Sequence, residues 1–225
     1  MRRFFEKKHL WLIPLYTAVY LVCFRLLELR PVRELHLLHV PLDDAIPFCP
    51  AFVVPYGLWF FYVAAAVAFF AGHWASAREH WQLDLSLAIG MTVFLLVSWV
   101  FPNGHNLRPL LPEEGGPFVE LVRLLYQVDT STNVLPSIHA YNSLAVAVGV
   151  ERCQALRDRP LVRGASWLLA VLIVLSTVFL KQHSVVDVLA ACALYTLVYG
   201  LLYRREILAP ARPGRARKGW QKEWL

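Results

Sequence analysis

Charge is scarce in this sequence. Charged residues make up 17% of it and hydrophobic residues 58%, where ordinary soluble domains run at roughly a quarter charged and half apolar. A chain of 225 residues is long enough for one or two soluble domains, but this one is too poor in charge to clothe a water-facing surface. Cysteine is also sparse. Cys23, Cys49, Cys153 and Cys192 include no CxxC spacing, and three lie in or beside apolar runs. That excludes a disulfide framework and a zinc site built on cysteine. Apolar and polar residues do not alternate, which argues against a β-barrel. No internal repeat or low-complexity segment occurs. The N-terminal MRRFFEKKHLWLIPLYTAVYLVCF begins as a signal peptide would, yet no small-x-small cleavage site follows it. An uncleaved first span is the better reading.

What is present is a series of long apolar runs. Crossing a bilayer takes roughly 20 residues. Six stretches qualify: Leu10 to Leu29, Phe52 to Trp74, Leu83 to Phe101, Pro136 to Val150, Val162 to Leu180, and Val185 to Tyr203. The fourth is short and opens with polar residues. The expected fold is therefore all-α: one membrane-embedded bundle of six transmembrane helices spanning residues 1–225. Its core covers about 83–203, and a basic tail covers about 204–225.

The net charge of +6 could suggest nucleic acid or an anionic surface. Its distribution decides otherwise. With a cytoplasmic N-terminus, the inner segments hold Arg2, Arg3, Lys7, Lys8, Arg78, Arg152, Arg157, Arg159 and Arg163. The tail adds Arg204, Arg205, Arg212, Arg215, Arg217, Lys218 and Lys222, making sixteen of the 22 basic residues. Arg30, Arg33, Arg108, Arg123 and Lys181 remain outside, and Arg25 lies within the first span. Basic residues gather on the cytoplasmic side of membrane proteins, so both termini are expected inside a multi-pass cell-membrane protein. The tail reads as an anchor on anionic lipid headgroups, with no nucleic acid and no obligate protein partner implied.

Two outer loops, Arg30 to Ala51 and Pro102 to Leu135, are longer than a simple connection needs. Three polar clusters fall on that same outer side: NGHNLRP (Asn103 to Pro109), PSIHAYNS (Pro136 to Ser143) and STVFLKQHSVVD (Ser176 to Asp187). Ionisable residues at membrane depth are costly and are functional candidates by default. His183 and Asp187 are four apart, on one face of a helix. A carboxylate there can orient the imidazole and free its other nitrogen for attack. His139, from another helix, could protonate a leaving oxygen. Arg108 and Lys181 supply positive charge, and arginine grips phosphate through paired hydrogen bonds. The helix start at Pro136-Ser137 offers free N–H groups to an anion.

Each element has a plainer reading. Ser184-x-x-Asp187 is also a capping box, a lone interfacial histidine is usually structural, and Arg108-Pro109 could be a snorkelling anchor. Asp43 and Asp44 either contact a headgroup or organise their loop. The convergence of two histidines, an aspartate, an arginine and a lysine on one side favours chemistry over structure.

These residues carry a resemblance to the type 2 phosphatidic acid phosphatase family, which includes lipid phosphatases and vanadium haloperoxidases. That family's motifs are K-x6-R-P, P-S-G-H and S-R-x5-H-x3-D. Arg108-Pro109 matches the end of the first, with Phe101 where its lysine is expected. Pro136-Ser137-Ile138-His139 matches the second, with Ile138 for glycine. Ser176-Thr177, His183 and Asp187 match the third, with Thr177 for arginine. The departures are similar to the inositol phosphorylceramide synthases. The resemblance implies a six-helix core, His183 as nucleophile, Asp187 as its orienter and His139 as general acid. It implies phosphate binding by Arg108 and Ser137. Lys181 is the candidate substitute for the missing basic residues, followed by His105 and Asn103.

The expected function is an outward-facing lipid phosphatase that hydrolyses a lipid phosphomonoester or pyrophosphate through phosphohistidine, with no cofactor and no metal. Two alternatives stand. A headgroup phosphotransferase would use a lipid alcohol in place of water. A non-enzymatic channel or transporter would carry a decayed site, against which intact His139, His183 and Asp187 count.

Overall fold

A computed structural model describes residues 9–30, 34–72 and 74–204, and for residues 9–13 the backbone only. The basic residues before position 9, Arg33 and the tail beyond Arg204 lie outside the described residues.

The chain is mostly helical. In order, it forms α1 (His9–Leu29), a short strand β1 (His36–Leu37), α2 (Pro41–Ala45), a 3-10 turn (Pro50–Phe52) and α3 (Val53–Ala71). Then come α4 (Ala77–Val100), β2 (Asn103–Gly104), α5 (Pro117–Val128), α6 (Ile138–Arg152), a second 3-10 turn (Gln154–Leu156), α7 (Pro160–Phe179) and α8 (Val185–Leu202). Helix starts follow local chemistry. Pro117 and Pro160 open α5 and α7, where a missing N–H costs nothing. Ser76 caps α4 in a capping box with Glu79, satisfying two donors at once.

Among the described residues, four segments are long and apolar enough to cross a membrane: Pro50–Ala71, Ala77–Val100, Pro160–Phe179 and Val185–Leu202. The other two stretches expected as spans are helical too, as α1 and α6, but neither is among these four. Helix α6 is a 15-residue helix at the centre of the bundle, packed on α3, α4, α7 and α8. Its neighbours shield it, so it does not need a lipid-facing apolar surface. It buries Ala140, Tyr141, Asn142, Ser143, Ala145, Val146, Ala147 and Gly149. Such small and polar residues let membrane helices approach closely. At Gly90 of α4, an added Cβ would lie 2.0 Å from the Tyr141 ring.

The outward surface is the apolar one. Val22, Phe60, Phe61, Leu96, Leu168, Leu189 and Leu197 are all exposed, while His80, Asp84, Ser86 and Ser98 are buried. Polar inside and apolar outside is the pattern of a bundle solvated by lipid.

The two long loops meet at one end. β1 pairs in parallel with β2, matching His36 to Asn103 and Leu37 to Gly104. Gly104 also bridges to Thr132. A Cβ on Gly104 would stand 2.6 Å from the Ser131 carbonyl oxygen, so the third strand of chain can approach only because that residue is glycine.

Candidate active site

The loop between α7 and α8 carries His183, and its geometry begins with Asp187. One Asp187 oxygen, Oδ2, accepts from the Ser184 N–H at 2.9 Å and from His183 Nδ1 at 3.2 Å. The capping box and the His–Asp pair are therefore one device, and a single carboxylate serves both. Asp187 is fully buried, and its other oxygen has no partner among the described residues. With Nδ1–H donating to the carboxylate, Nε2 is the His183 nitrogen left to react.

Helix α6 delivers the second histidine. Its N-cap is Ser137, whose Oγ accepts from the Ala140 N–H at 3.3 Å. The Ser137 N–H donates to the Asp187 carbonyl at 3.1 Å, joining the two helix starts. The His139 and His183 ring centroids are 5.8 Å apart. His139 also packs on Tyr56 at 4.4 Å and Trp59 at 4.3 Å, centroid to centroid. Its Nε2 is buried without a hydrogen-bond partner among the described residues. An orphaned polar atom this deep is costly, which makes it a candidate for a functional role.

Both histidines line a cavity of about 330 Å³ whose walls are largely apolar and aromatic, including Tyr20, Phe24, Trp59 and Phe94. Asp129, Asn133 and Gln182 supply polar groups to it. No family model, curated protein or solved structure matches the chain. The site therefore rests on its own geometry.

The five residues expected to bind phosphate behave differently from the histidine pair. None of them lines this cavity among the described residues; each is engaged by the fold. Asn103 is fully buried, and its Oδ1 accepts from the Val134 and Leu135 N–H groups, both at 2.9 Å. It holds the chain that leads into Pro136-Ser137. His105 accepts the Leu107 N–H at Nδ1 (3.3 Å) and donates from Nε2 to the Gln182 carbonyl at 2.7 Å. That arrangement needs a neutral ring. Burial, followed by the nearby His183, pushes its pKa down to about 4. Ser137 uses its hydroxyl as a cap.

Arg108 donates to the Tyr126 and Asp129 carbonyls and to Gln182 Oε1, and its guanidinium lies 4.3 Å from the Tyr126 ring centroid. Burial lowers its pKa. Its partner Gln182 is the residue before His183, so Arg108 supports the cavity from behind.

Lys181 departs most from expectation. It sits in the left-handed region at φ 54°, uncommon for a side chain of this size. The reversal sends its amine away from the histidines and onto the Asp43 and Ile46 carbonyls. There it lines a separate open cavity with His39, Asp44 and Asn106. We expect Lys181→Met to lower thermal stability in detergent by about 1–3 kcal/mol, because two carbonyls, one buried and one partly buried, lose their donor. Turnover of p-nitrophenyl phosphate should hold within about tenfold, the factor equivalent to about 1.4 kcal/mol. Lost turnover at unchanged stability would return Lys181 to the phosphate.

Asp129, Tyr56, Trp59 and Gln182 also line the cavity and are not among the residues expected from the sequence. Tyr56 donates its hydroxyl to Asp129, and Gln182 reaches the same carboxylate at 3.4 Å. Asp129 on the cavity wall thus adds a second carboxylate to the site, beside the Asp187 that holds His183. Tyr56 and Trp59 lie inside a continuous apolar run, which gives no signal. Gln182 had one available signal, its position beside His183.

Proposed function

We propose that this chain is an integral membrane lipid phosphatase working through a phosphohistidine intermediate, in the manner of the type 2 phosphatidic acid phosphatases that it resembles. The observation that carries the reading is the histidine pair: His183, with its Nδ1 on a buried carboxylate, stands 5.8 Å from His139 in one cavity. His183 Nε2 attacks phosphorus and the bond from phosphorus to the lipid oxygen breaks. His139 gives that oxygen its proton. A water then loses a proton to His139 and attacks the phosphohistidine, releasing phosphate and restoring both rings. The first turn of α6, whose Ile138 and His139 line the cavity, would hold the phosphate oxygens at its positive dipole end.

The first half-reaction equally serves a headgroup phosphotransferase. One observation favours that second reading: the cavity is lined by aromatic rings, and His183 is only 7% exposed, which keeps bulk water away from a phosphohistidine. Purified protein in detergent, offered a panel of lipid phosphates with and without a lipid alcohol, separates the two. Free phosphate in every arm marks the hydrolase. A new lipid phosphodiester that depends on the alcohol marks the transferase, and neither product with any lipid would refute both.

The proposal places six spans across the cell membrane, both termini in the cytoplasm and the histidine cavity outward. The distribution of basic residues supports this orientation. A cysteine introduced at Glu113, in a background free of native cysteines, should react with a membrane-impermeant reagent in intact cells. Labelling only after lysis would reverse the topology and with it the outward site.

A further inference from the structure

Helix α5 has three faces where a helix on a soluble loop has two. Val119, Val122, Leu125 and Tyr126 turn inward, with Val122 fully buried. Glu120, Arg123 and Gln127 form a narrow polar face, on which Arg123 donates to Glu120 and to the Pro112 carbonyl. The third face is Phe118, Leu121, Leu124 and Val128, exposed at 43%, 47%, 58% and 85%. Spaced three or four residues apart, these four form one continuous stripe. The sequence displays four large apolar groups there and leaves them uncovered, while three polar residues suffice for the water side.

The position of α5 identifies what covers the stripe. Leu125 and Val128 line the histidine cavity together with Leu21 of α1 and Phe60 of α3. Leu21 and Phe60 are themselves exposed, at 57% and 61%, on the apolar outside of the bundle. The α5 stripe is thus continuous, around the cavity mouth, with the surface that the spanning helices turn to lipid. A helix with one polar face and one apolar face at this level lies in the plane of the membrane interface.

We propose that α5 is an interfacial helix whose Phe118, Leu121, Leu124 and Val128 sit among the lipids and hold the mouth of the histidine cavity against the bilayer. The polar face then meets water and headgroups, and the inner face seals the cavity. The location of α5 stands independently of any activity. Its consequence for turnover rests on the phosphatase reading given above.

The test uses the full chain, free of native cysteines, reconstituted in phosphatidylcholine–phosphatidylglycerol vesicles. An environment-sensitive fluorophore is attached to a cysteine at Leu124 or, separately, at Gln127. The Leu124 probe should emit as in an apolar medium and be quenched by lipids spin-labelled near the headgroup. The Gln127 probe should emit as in water. A water-like Leu124 probe overturns the proposal. So does an apolar Leu124 probe that lipid quenchers do not reach, as when a second copy or another protein covers the stripe. A second measurement compares substrates for the Leu121→Glu, Leu124→Glu double variant. Turnover of a lipid phosphate in vesicles should fall about tenfold, while turnover of soluble p-nitrophenyl phosphate holds. Equal loss on both substrates overturns the proposal. If the parent protein turns over neither substrate, the phosphatase reading fails, and the fluorescence still decides where α5 lies.

Discussion

His183→Ala should abolish phosphoenzyme formation and lower turnover by roughly 10³-fold or more, whatever the lipid phosphate offered. His139→Ala should fail differently. It leaves His183 and its carboxylate in place, so the phosphoenzyme should form slowly from lipid substrates, whose leaving oxygen has lost its proton donor, and should persist once formed, because the water has lost its base. p-Nitrophenyl phosphate, whose leaving group departs without a proton, should suffer least. Asp187→Asn separates orientation from chemistry: an amide still reaches Nδ1 but favours the wrong tautomer. It also disturbs the bond from the Ser184 N–H, so a slow enzyme of reduced stability is expected. Acid-quench trapping with labelled substrate, followed by peptide mapping, reads all three. A label on His139, or a fully active His183→Ala protein, would overturn the assignment.

Asp43→Ala should destabilise the fold more than either Lys181→Met or Asp44→Ala. Asp43 is 2% exposed and lies in the first long loop, yet it caps the distant helix that carries Asp187. Its Oδ2 accepts from the Val40 N–H at 2.9 Å and from Ser184 Oγ at 2.6 Å, and its Oδ1 accepts from the Val185 N–H at 2.8 Å. Alanine leaves three donors, one buried and two partly buried, without this acceptor. A loss of about 3–5 kcal/mol follows, seen as an earlier unfolding transition in detergent. Asp43→Asn keeps one acceptor oxygen and should fall between the parent and the alanine variant. Because Ser184 adjoins His183, kcat should drop with stability, and a lipid that protects the fold should not restore it. Asp44 provides the contrast. It is exposed and pairs with His39 at 2.9 Å, so Asp44→Ala should change stability by less than about 1 kcal/mol. Of the two readings open for these aspartates, loop organisation is the one Asp43 serves.

The helices were legible in the sequence because long apolar runs have few other folded states available in lipid. The pairing of His183 with Asp187 was legible for a similar reason: a four-residue spacing at a helix start is a local geometry that needs no knowledge of the rest of the chain. Even there the sequence posed a choice, capping box or functional pair, and the fold gives both roles to one carboxylate oxygen.

Side-chain aim was not legible. Arg108, Lys181, His105 and Asn103 sit in loops at the cavity end of the bundle, and each spends polar atoms on the fold. Lys181 turns away because its backbone adopts φ 54°, a property of the tight reversal between α7 and α8. His105 and Asn103 are consumed by backbone groups of the 131–135 and 182 segments. A buried loop must satisfy its own N–H and C=O groups, and nearby polar side chains are taken up in doing so. Composition and hydrophobic runs by themselves determined an apolar helical bundle with its polar clusters at one end. Only the tertiary structure decided that His139 and His183 share a cavity, that Asp129 and Asp43 belong to that end, and that the expected phosphate ligands support it from behind. The physical reason is that burial and helix periodicity act locally along the chain, whereas the partner of a polar side chain is chosen among groups brought together from loops up to 142 residues apart.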